Sequence, residues 1–261
     1  MSYKDHNSEI YPDNLPNEWY KEAFSIWYKV VYSHRNVKEA QKQVKFLASL
    51  IPISLSTKIL DLCCGYGRHI RFLSKLSNFV VGVDLSSELL TQARAQNENL
   101  AEFICADVRS LPFHENSFDI VLSLFTSFGY FYTDEENYNH LKNLASVLKC
   151  KGYFVLDYFN PNKVKLSKKH SSTKKVNDLI IREVKWLDDK NNRINKNVTI
   201  EDIKGNILKS YIETVKIYEF SQIEEMLIKC GIIVQDVYGD YSGSEFTNKS
   251  PRLIIIARKY A

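Results

Sequence analysis

Three acidic residues are the side chains in this sequence best placed to hold a polar ligand. Asp61, Asp84 and Asp107 each lie at or near the end of a short apolar run, in KILDL, FVVGVD and EFICAD. Runs of this kind predict buried strands, and the carboxyl ends of parallel strands lie together at one edge of a sheet. A carboxylate there can accept hydrogen bonds from hydroxyl groups or pair with an ammonium group. The sequence therefore predicts one ligand site at the edge of a parallel sheet.

The first acid is followed by a glycine turn and then by a helical pattern. Gly65 and Gly67 form the turn, and apolar residues recur at helical spacing from Ile70 onward. A dinucleotide site has a third glycine where this chain has Ile70, and Asp61 would repel a pyrophosphate. A ligand with both an ammonium and a carboxylate group fits better, because Asp61 attracts the first and the N–H groups of a helix start attract the second. S-adenosylmethionine (SAM) carries both groups.

The stretch DLCCGYG resembles motif I of class I SAM-dependent methyltransferases, which is written acid-x-Gly-x-Gly-x-Gly. Asp61, Cys63, Gly65 and Gly67 stand in the four defined places, with Cys63 in place of the first glycine. A small side chain fits there without strain if the local φ is negative. Asp84 follows roughly 20 residues later, which is the spacing of the ribose-binding acid in sheets of this kind.

The resemblance extends along most of the chain and implies a fold and a set of ligand contacts. The implied fold is α/β, a Rossmann-like seven-stranded sheet of strand order 3-2-1-4-5-7-6, flanked by helices. The implied cofactor is SAM, with S-adenosylhomocysteine as product; Asp107 would lie near the adenine amino group and the Val108 N–H near a ring nitrogen. The resemblance implies that the cofactor is bound by Asp61, Cys63, Gly65, Gly67, Asp84, Leu85, Asp107, Val108, Ser123 and Leu124.

An aromatic stripe near the amino end predicts a helix from Asn17 onward, with Tyr20, Phe24, Trp27, Tyr28 and Val31 at helical spacing. Two interpretations stay open: the stripe packs on the core, or it lines the active site. Methyltransferases that this chain resembles often close such a helix over the ligand, and aromatic faces attract a sulfonium cation. On the second interpretation the lid is formed by Tyr28, Tyr32, His34 and Arg35. Of these, Tyr28, Tyr32 and Arg35 would bind the cofactor, and Tyr20 and Trp27 would belong to the substrate pocket.

The loop FTSFGYFYTD after the fourth predicted strand is too aromatic for a solvated connection. Phe125, Phe128, Tyr130 and Phe131 are candidate walls of the substrate pocket, although burial against the aromatic helix would explain them nearly as well. A general base is needed only for a protonated, weakly acidic acceptor. The candidates are His34, Tyr158 and Tyr241, and a histidine that follows a helix can also serve as its cap.

The remaining pattern predicts a domain with an insertion. Three alternating runs (179–187, 193–202 and 208–218) predict antiparallel strands, preceded by a lysine-rich loop at 161–175. We expect helices at 135–149, capped by Asp134, and at 222–230, capped by Ser221, and a closing antiparallel hairpin of strands 232–238 and 252–259. The predicted division is a SAM-binding domain with an N-terminal helical lid (1–160 and 221–261) and an inserted antiparallel β subdomain (161–220).

Length and composition allow a full core and exclude little else. The chain has 261 residues, 44% of them hydrophobic, a net charge of +4 and five cysteines without metal-ligand spacing. We expect a cytoplasmic protein without membrane segment or metal, because no leader, spanning run or His and carboxylate cluster is evident. The predicted activity is methyl transfer from SAM to an O or N nucleophile of a small molecule. Alternatives are an RNA methyltransferase that uses the lysines of 163–175, or a SAM-binding protein without activity; monomer and homodimer both stay open.

Overall fold

A computed structural model describes residues 18–33, 35–166 and 169–260. The proposals for His34 lie outside these residues. The central sheet has the predicted topology, with strands in the order β10-β11-β5-β4-β1-β2-β3. These strands are Lys58–Leu62 (β1), Phe79–Asp84 (β2), Glu102–Cys105 (β3), Phe118–Ser123 (β4), Leu148–Phe159 (β5), Ile232–Tyr238 (β10) and Arg252–Lys259 (β11).

The parallel strands of the sheet are continuously apolar because both faces are covered. Strand β1 pairs in parallel with β2 and β4, and its Ile59 and Leu60 are fully buried. A parallel sheet covered on both faces buries successive residues on opposite sides, so the strands cannot alternate with polar residues. The acids Asp61 and Asp84 follow these apolar stretches at the carboxyl ends of their strands, where the sheet ends and the site begins.

The helices are Trp19–Ala23 (α1), Tyr28–Val31 (α2), Val37–Leu50 (α3), Ile70–Leu73 (α4), Ser87–Gln96 (α5), Asp134–Val147 (α6), Pro161–Leu166 (α7) and Phe220–Lys229 (α8). Two predicted caps are wrong by one or two positions. Thr133, not Asp134, caps α6 in a reciprocal pair with Glu136, and Glu219, not Ser221, precedes α8. In each case a residue that can exchange hydrogen bonds with the side chain three positions later takes the cap.

The single aromatic helix expected from Asn17 is instead two short helices, α1 and α2, which we call the lid helices. Phe24 ends the first of them with a non-helical backbone (φ −94°, ψ 64°). The N–H of Ile26 then donates to the carboxylate of Glu88 at 3.1 Å rather than to a helical carbonyl. Aromatic side chains have modest helix propensity, so contacts with the rest of the molecule decide this backbone.

The insertion forms a separate antiparallel sheet, as expected, but with four strands rather than three. Its strands are Lys169–Val176 (β6), Leu179–Asp188 (β7), Arg193–Asp202 (β8) and Ile207–Lys216 (β9). The additional strand β6 arises from the lysine-rich segment, which was expected to be a loop. Its lysines suit the edge of a sheet, where charge discourages pairing with another chain.

One face of the second sheet packs against the lid helices. Ile181, Val198, Ile200 and Tyr211 form a buried cluster with Trp19, Tyr20, Ala23 and Val31. Within the described ranges, no helix combines the length and the apolar composition needed to cross a bilayer.

A buried arginine joins the second sheet to the loop after β4. The guanidinium of Arg193 is 2% exposed and donates to the carbonyls of Phe131 at 3.1 Å, Tyr132 at 3.4 Å and Tyr130 at 3.4 Å. Three consecutive carbonyls are thus fixed by one side chain. This contact holds the aromatic loop between the two sheets.

Candidate functional site

A cavity of about 530 Å³ lies at the carboxyl edge of the central sheet. It is lined by residues at or just after the carboxyl ends of strands β1 to β4, from the lid helices and from the aromatic loop. Of the predicted cofactor residues it contains Tyr28, Asp61, Cys63, Gly65, Asp84, Leu85, Asp107, Val108 and Leu124. The sequence pattern therefore brings most of these residues to one place.

Asp61 is the most deeply buried acid of the cavity wall. It is 1% exposed, and its Oδ2 has no hydrogen-bond partner among the described residues. Burial raises the pKa of this carboxyl to about 7; the nearby Arg68 opposes the rise and Asp84 adds to it. His69 Nδ1 lies 3.9 Å from Asp61 Oδ2, but burial keeps the histidine pKa well below its usual value. The carboxylate therefore lacks a strong cationic partner within hydrogen-bonding distance.

The turn after β1 is left-handed at three positions. Cys63, Gly65 and Gly67 have φ values of 55°, 57° and 74°. The condition of a negative φ at Cys63 is therefore not met, and this cysteine adopts a conformation that favours glycine. A Cβ added at Gly65 would meet nothing within 4 Å, whereas one at Gly67 would lie 2.8 Å from Asn97. Gly65 leaves open space beside the cavity, and Gly67, which does not line it, permits close packing instead.

Asp84 fixes the turn from the neighbouring strand. Its Oδ2 accepts a hydrogen bond from the Gly65 N–H at 2.8 Å, and its Oδ1 accepts one from the Ser86 N–H at 2.9 Å. Burial raises the pKa of Asp84, and the backbone N–H groups partly offset this effect. Each carboxylate oxygen retains a further acceptor site for a ligand.

Asp107 lines the cavity but is paired with an arginine. Arg109 Nη2 lies 2.7 Å from Asp107 Oδ2, and the Arg109 N–H donates to Oδ1 at 2.9 Å. Partial burial raises the pKa of Asp107, but the hydrogen bonds and charge of Arg109 outweigh it and lower the pKa overall. This carboxyl is therefore held in the charged form.

Arg68 is a cavity residue that our sequence analysis did not single out. It is 8% exposed, and neither Nη1 nor Nη2 has a hydrogen-bond partner within the described ranges. Its guanidinium carbon lies 3.8 Å from the centre of the Phe125 ring, and Nη1 lies 3.6 Å from Glu39 Oε2. The available signal was its position directly after Gly67, where the chain turns back along the site. His69, Glu88 and Lys209 also line the cavity and were missed, whereas Phe24 lines it as a member of the predicted aromatic stripe.

Aromatic residues form the other side of the cavity, as the second interpretation of the stripe predicts for Tyr20 and Tyr28. Tyr20, Phe125, Tyr130 and Phe131 line it. The Tyr130 carbonyl accepts a hydrogen bond from Trp19 Nε1 at 3.2 Å, and its ring lies 4.9 Å from that of Trp19. The Tyr130 hydroxyl has no hydrogen-bond partner among the described residues.

Several predicted substrate or catalytic residues lie away from the cavity. Phe128 is fully buried in the core beside the rings of Tyr158 and Tyr218. The Tyr158 hydroxyl donates to the Lys216 carbonyl, and the Tyr241 hydroxyl donates to Asp157 Oδ2 at 2.9 Å. Burial raises the pKa of both tyrosines well above the usual value. Trp27 is half-buried in the apolar cluster between the lid helices and the second sheet, and it does not line the cavity either.

Three predicted cofactor residues stand behind the cavity wall. Ser123 is 1% exposed at the end of β4, next to Leu62 of β1. Arg35 stacks on Tyr32, 4.0 Å from its ring centre, and donates to the Tyr28 hydroxyl at 2.7 Å. Together with Gly67, these residues support the lining rather than form it.

Comparison with known proteins identifies the domain. Residues 59–152, which contain the glycine turn and all three acids, match the family described as methyltransferase domain. The chain contains a methyltransferase domain. Among curated relatives, the putative methyltransferase YqeM of Bacillus subtilis is 24% identical over 207 residues, which are 77% of this chain and 84% of YqeM. An N,N-dimethyltransferase of dTDP-3-amino-3,4,6-trideoxy-alpha-D-glucopyranose from Streptomyces venezuelae is 30% identical over 102 residues, 39% of this chain and 42% of that enzyme.

Solved structures of methyltransferases share the fold of this one. The CcbJ methyltransferase from Streptomyces caelestis has a TM-score of 0.79 at 17% identity, covering 92% of this chain and 98% of its own. A SAM-dependent methyltransferase from Clostridium acetobutylicum has a TM-score of 0.77 at 17% identity, with 90% and 97% covered. SAM-bound CalS10, an amino pentose methyltransferase from Micromonospora echinaspora, has a TM-score of 0.66 at 17% identity, with 95% and 100% covered. These structures show the fold of the chain, and one of them contains SAM.

Proposed function

We propose that this methyltransferase transfers a methyl group to a nitrogen or oxygen nucleophile of a small molecule, and that the favoured acceptor is an amine. The observation that carries the proposal is the cavity of about 530 Å³, bounded by the acids on one side and by the aromatic lid on the other. Its volume is typical of small-molecule sites. A cavity covered in this way suits an acceptor that is enclosed rather than a long polymer.

Asp61 and Arg68 fit the amino-acid end of SAM. The unpartnered Asp61 oxygen can accept hydrogen bonds from an ammonium group, and the unpartnered Arg68 N–H groups can donate to a carboxylate. These are the complementary groups of a zwitterion, and both side chains line the same cavity. The open space at Gly65 gives such a ligand room beside the turn.

The other end of SAM would lie along the ends of β2 and β3. Asp84 has acceptor sites left for ribose hydroxyls after binding the Gly65 and Ser86 N–H groups. Leu85, Val108 and Leu124 supply an apolar surface for a purine ring. Asp107 is bound to Arg109, so any contact with the adenine amino group would use the remaining lone pairs of its carboxylate.

SAM supplies a methyl group that is already activated by its sulfonium centre. The residues of the chain then have to align the acceptor and exclude water, an effect worth up to roughly 7–11 kcal/mol. Tyr130 suits the alignment role, because its backbone is fixed by Trp19 and Arg193 while its hydroxyl is free to bind an acceptor. Tyr20, Tyr28 and Phe125 shield the same space and offer aromatic faces to a cationic ligand.

An amine is favoured over an alcohol because no histidine or tyrosine among the described residues of the cavity suits the role of general base, and its three predicted acids are proposed to bind the cofactor. Burial lowers the pKa of His69 and raises that of Tyr130, and the predicted bases Tyr158 and Tyr241 do not line the cavity. An amine with a pKa near neutrality loses its proton without such a base, whereas an alcohol does not. The names of two similar proteins, which act on an amino pentose and on a nucleotide-linked amino sugar, agree with this choice.

The RNA alternative gains little from the lysine-rich segment. Lys165 lies 2.6 Å from Glu219, and Lys174 lies 3.6 Å from Glu183. These contacts neutralise part of the positive charge that a phosphate backbone would need. We therefore propose a small-molecule partner, and we retain the proposed division into a SAM-binding domain (1–160 and 221–261) and an inserted subdomain (161–220).

Two measurements test the proposal. S-adenosylhomocysteine should raise the melting temperature of the protein, and NAD should not. With labelled SAM, small amines should then accept the methyl group while transfer RNA does not. Labelling of RNA but of no small amine or alcohol would overturn the small-molecule proposal.

A further inference from the structure

Strand β9 carries a buried polar cluster that the cofactor site does not use. Lys209, Tyr211 and Glu213 alternate along the strand, so their side chains share the face that meets the lid helices. Lys209 lines the cavity, and the other two follow it at steps of about 7 Å beneath the lid. Tyr28 also lines the cavity, and its ring centre lies 4.8 Å from that of Tyr32, whose hydroxyl binds Glu213. The cluster thus adjoins the cavity at both of its ends.

Two atoms of the cluster have hydrogen-bonding capacity that the described residues do not use. Glu213 is 8% exposed and Tyr211 is 6% exposed. Neither Glu213 Oε1 nor the Tyr211 hydroxyl has a partner. A buried polar group left without a partner costs roughly 1–3 kcal/mol, so two such groups on adjacent same-face positions indicate a missing ligand or water.

The charge of Glu213 is already balanced within the cluster. Lys196 Nζ lies 2.8 Å from Glu213 Oε2, and the Tyr32 hydroxyl donates to the same oxygen at 2.6 Å. A cationic ligand therefore gains little here, and an anion would be repelled by the carboxylate. What remains is one acceptor oxygen and one hydroxyl, and a ligand hydroxyl can satisfy both because it donates and accepts.

A further donor stands in the same row of the sheet. Lys185 lies directly across the strand pair from Lys196, and within the described ranges it makes no hydrogen bond or ion pair. Its side chain is exposed, but partial desolvation of its ammonium group together with the charge of Lys196 lowers its pKa. Lys185 could therefore donate a hydrogen bond to a second hydroxyl group of the ligand.

We infer that Glu213 and Tyr211, with Lys185 beside them, form a substrate subsite for the hydroxyl groups of a sugar-like acceptor. The inference rests on the proposed function, because it names the part of the acceptor that lies away from the methylated nitrogen. The two unpartnered atoms are shielded from bulk water by the lid helices, so the acceptor binds with the lid open and is enclosed when it closes. The Tyr28, Tyr130 and Phe131 rings supply the apolar walls between this subsite and the cofactor residues.

Binding to the protein saturated with S-adenosylhomocysteine tests the inference. The probes are three hexosamines, with the amino group at carbon two, three or four, and cyclohexylamine, a ring amine without hydroxyls. We expect at least one hexosamine to bind at least about tenfold more tightly than cyclohexylamine. Tyr211→Phe should lower the affinity for that hexosamine by about fivefold, which corresponds to the loss of one neutral hydrogen bond. Glu213→Gln should lower it by about tenfold or more. Neither variant should change cyclohexylamine binding.

Ser210→Ala is the matched control, since Ser210 is exposed on the opposite face of the same strand. All variants should keep the wild-type affinity for S-adenosylhomocysteine, which shows that they are folded. The inference would be overturned if no hexosamine bound more tightly than cyclohexylamine, or if the hexosamine bound the Tyr211→Phe variant as tightly as the wild type. Either result would be expected if a water molecule, and not a ligand hydroxyl, bound the two atoms. If the wild-type protein did not bind S-adenosylhomocysteine at all, the proposed function itself would be overturned.

Discussion

The N–H of Gly65 donates a hydrogen bond of 2.8 Å to the carboxylate of Asp84. This bond joins the turn after β1 to the end of β2, so that two neighbouring strands position one ligand surface. It also means that Asp84 has a structural contact in addition to its proposed contact with ribose.

Replacing Asp84 should therefore weaken cofactor binding by two routes. We expect Asp84→Ala to raise the Kd for S-adenosylhomocysteine at least about tenfold, because a charged hydrogen bond contributes roughly 1.5–3 kcal/mol. Isothermal titration measures the Kd. Asp236→Ala, which removes an exposed acid from β10, is the control and should bind as the wild type does. An unchanged Kd in Asp84→Ala would remove Asp84 from the proposed site.

The pKa of about 7 at Asp61 predicts a pH dependence of cofactor binding. Only the charged carboxylate attracts an ammonium group, so the affinity for S-adenosylhomocysteine should rise by up to about tenfold per pH unit between roughly pH 5 and 7. Above this range it should level off. Asp61→Asn should abolish the slope, and titrations at a series of pH values would show it.

The same shift predicts the stability of the ligand-free protein. The folded state binds the Asp61 proton more tightly than the unfolded state, whose pKa is near 3.8. Stability from this group is therefore present at low pH and is lost as pH rises towards 7. Asp61→Asn should lessen that loss in denaturant titrations, and an equal loss in both proteins would contradict the shift.

Arg68 should discriminate ligands by their carboxylate. We expect Arg68→Gln to lower the affinity for S-adenosylhomocysteine by about tenfold to a hundredfold. The affinity for 5′-methylthioadenosine, which has no amino-acid group, should not change. Arg71→Gln, which changes an exposed arginine of α4, the helix that follows Arg68, should alter neither ligand. Equal weakening of the two ligands by Arg68→Gln would point to a structural role.

Phe128 should affect stability rather than substrate affinity. It is 0% exposed, so Phe128→Ala should reduce the free energy of unfolding by about 3–5 kcal/mol. Phe79→Ala, at a position that is 52% exposed, should cost far less. Denaturant titration measures both, and in the folded variant the affinity for S-adenosylhomocysteine should be that of the wild type.

Sequence periodicity predicted the parallel strands and the gathering of the three acids at their carboxyl ends, because continuous apolar runs that end in acids are typical of a parallel sheet. The order of the strands was implied by the family resemblance. Periodicity could not place Arg68, since the helical pattern after Gly67 says nothing about the direction of an arginine side chain. The aromatic loop shows the same limit. Phe125 and Tyr130 line the cavity while Phe128 enters the core, and Arg193, distant in sequence, fixes that loop.

The prediction that the lysine-rich segment is a loop was wrong for a related reason. Its composition is that of a solvated loop, but its pairing with β7 depends on a neighbouring strand that composition does not describe. The break between the lid helices was equally non-local, because the Ile26 N–H binds Glu88.

The strand order has a consequence for how the chain folds during its synthesis. Strand β11 is made after the other described strands, yet it lies between β5 and β10 and pairs with both. Until β11 emerges from the ribosome, β5 keeps one open edge and β10 has no neighbour in the sheet. The nascent protein therefore exposes an apolar strand edge while the whole insertion is translated, and it is in this interval that a chaperone would be of most use.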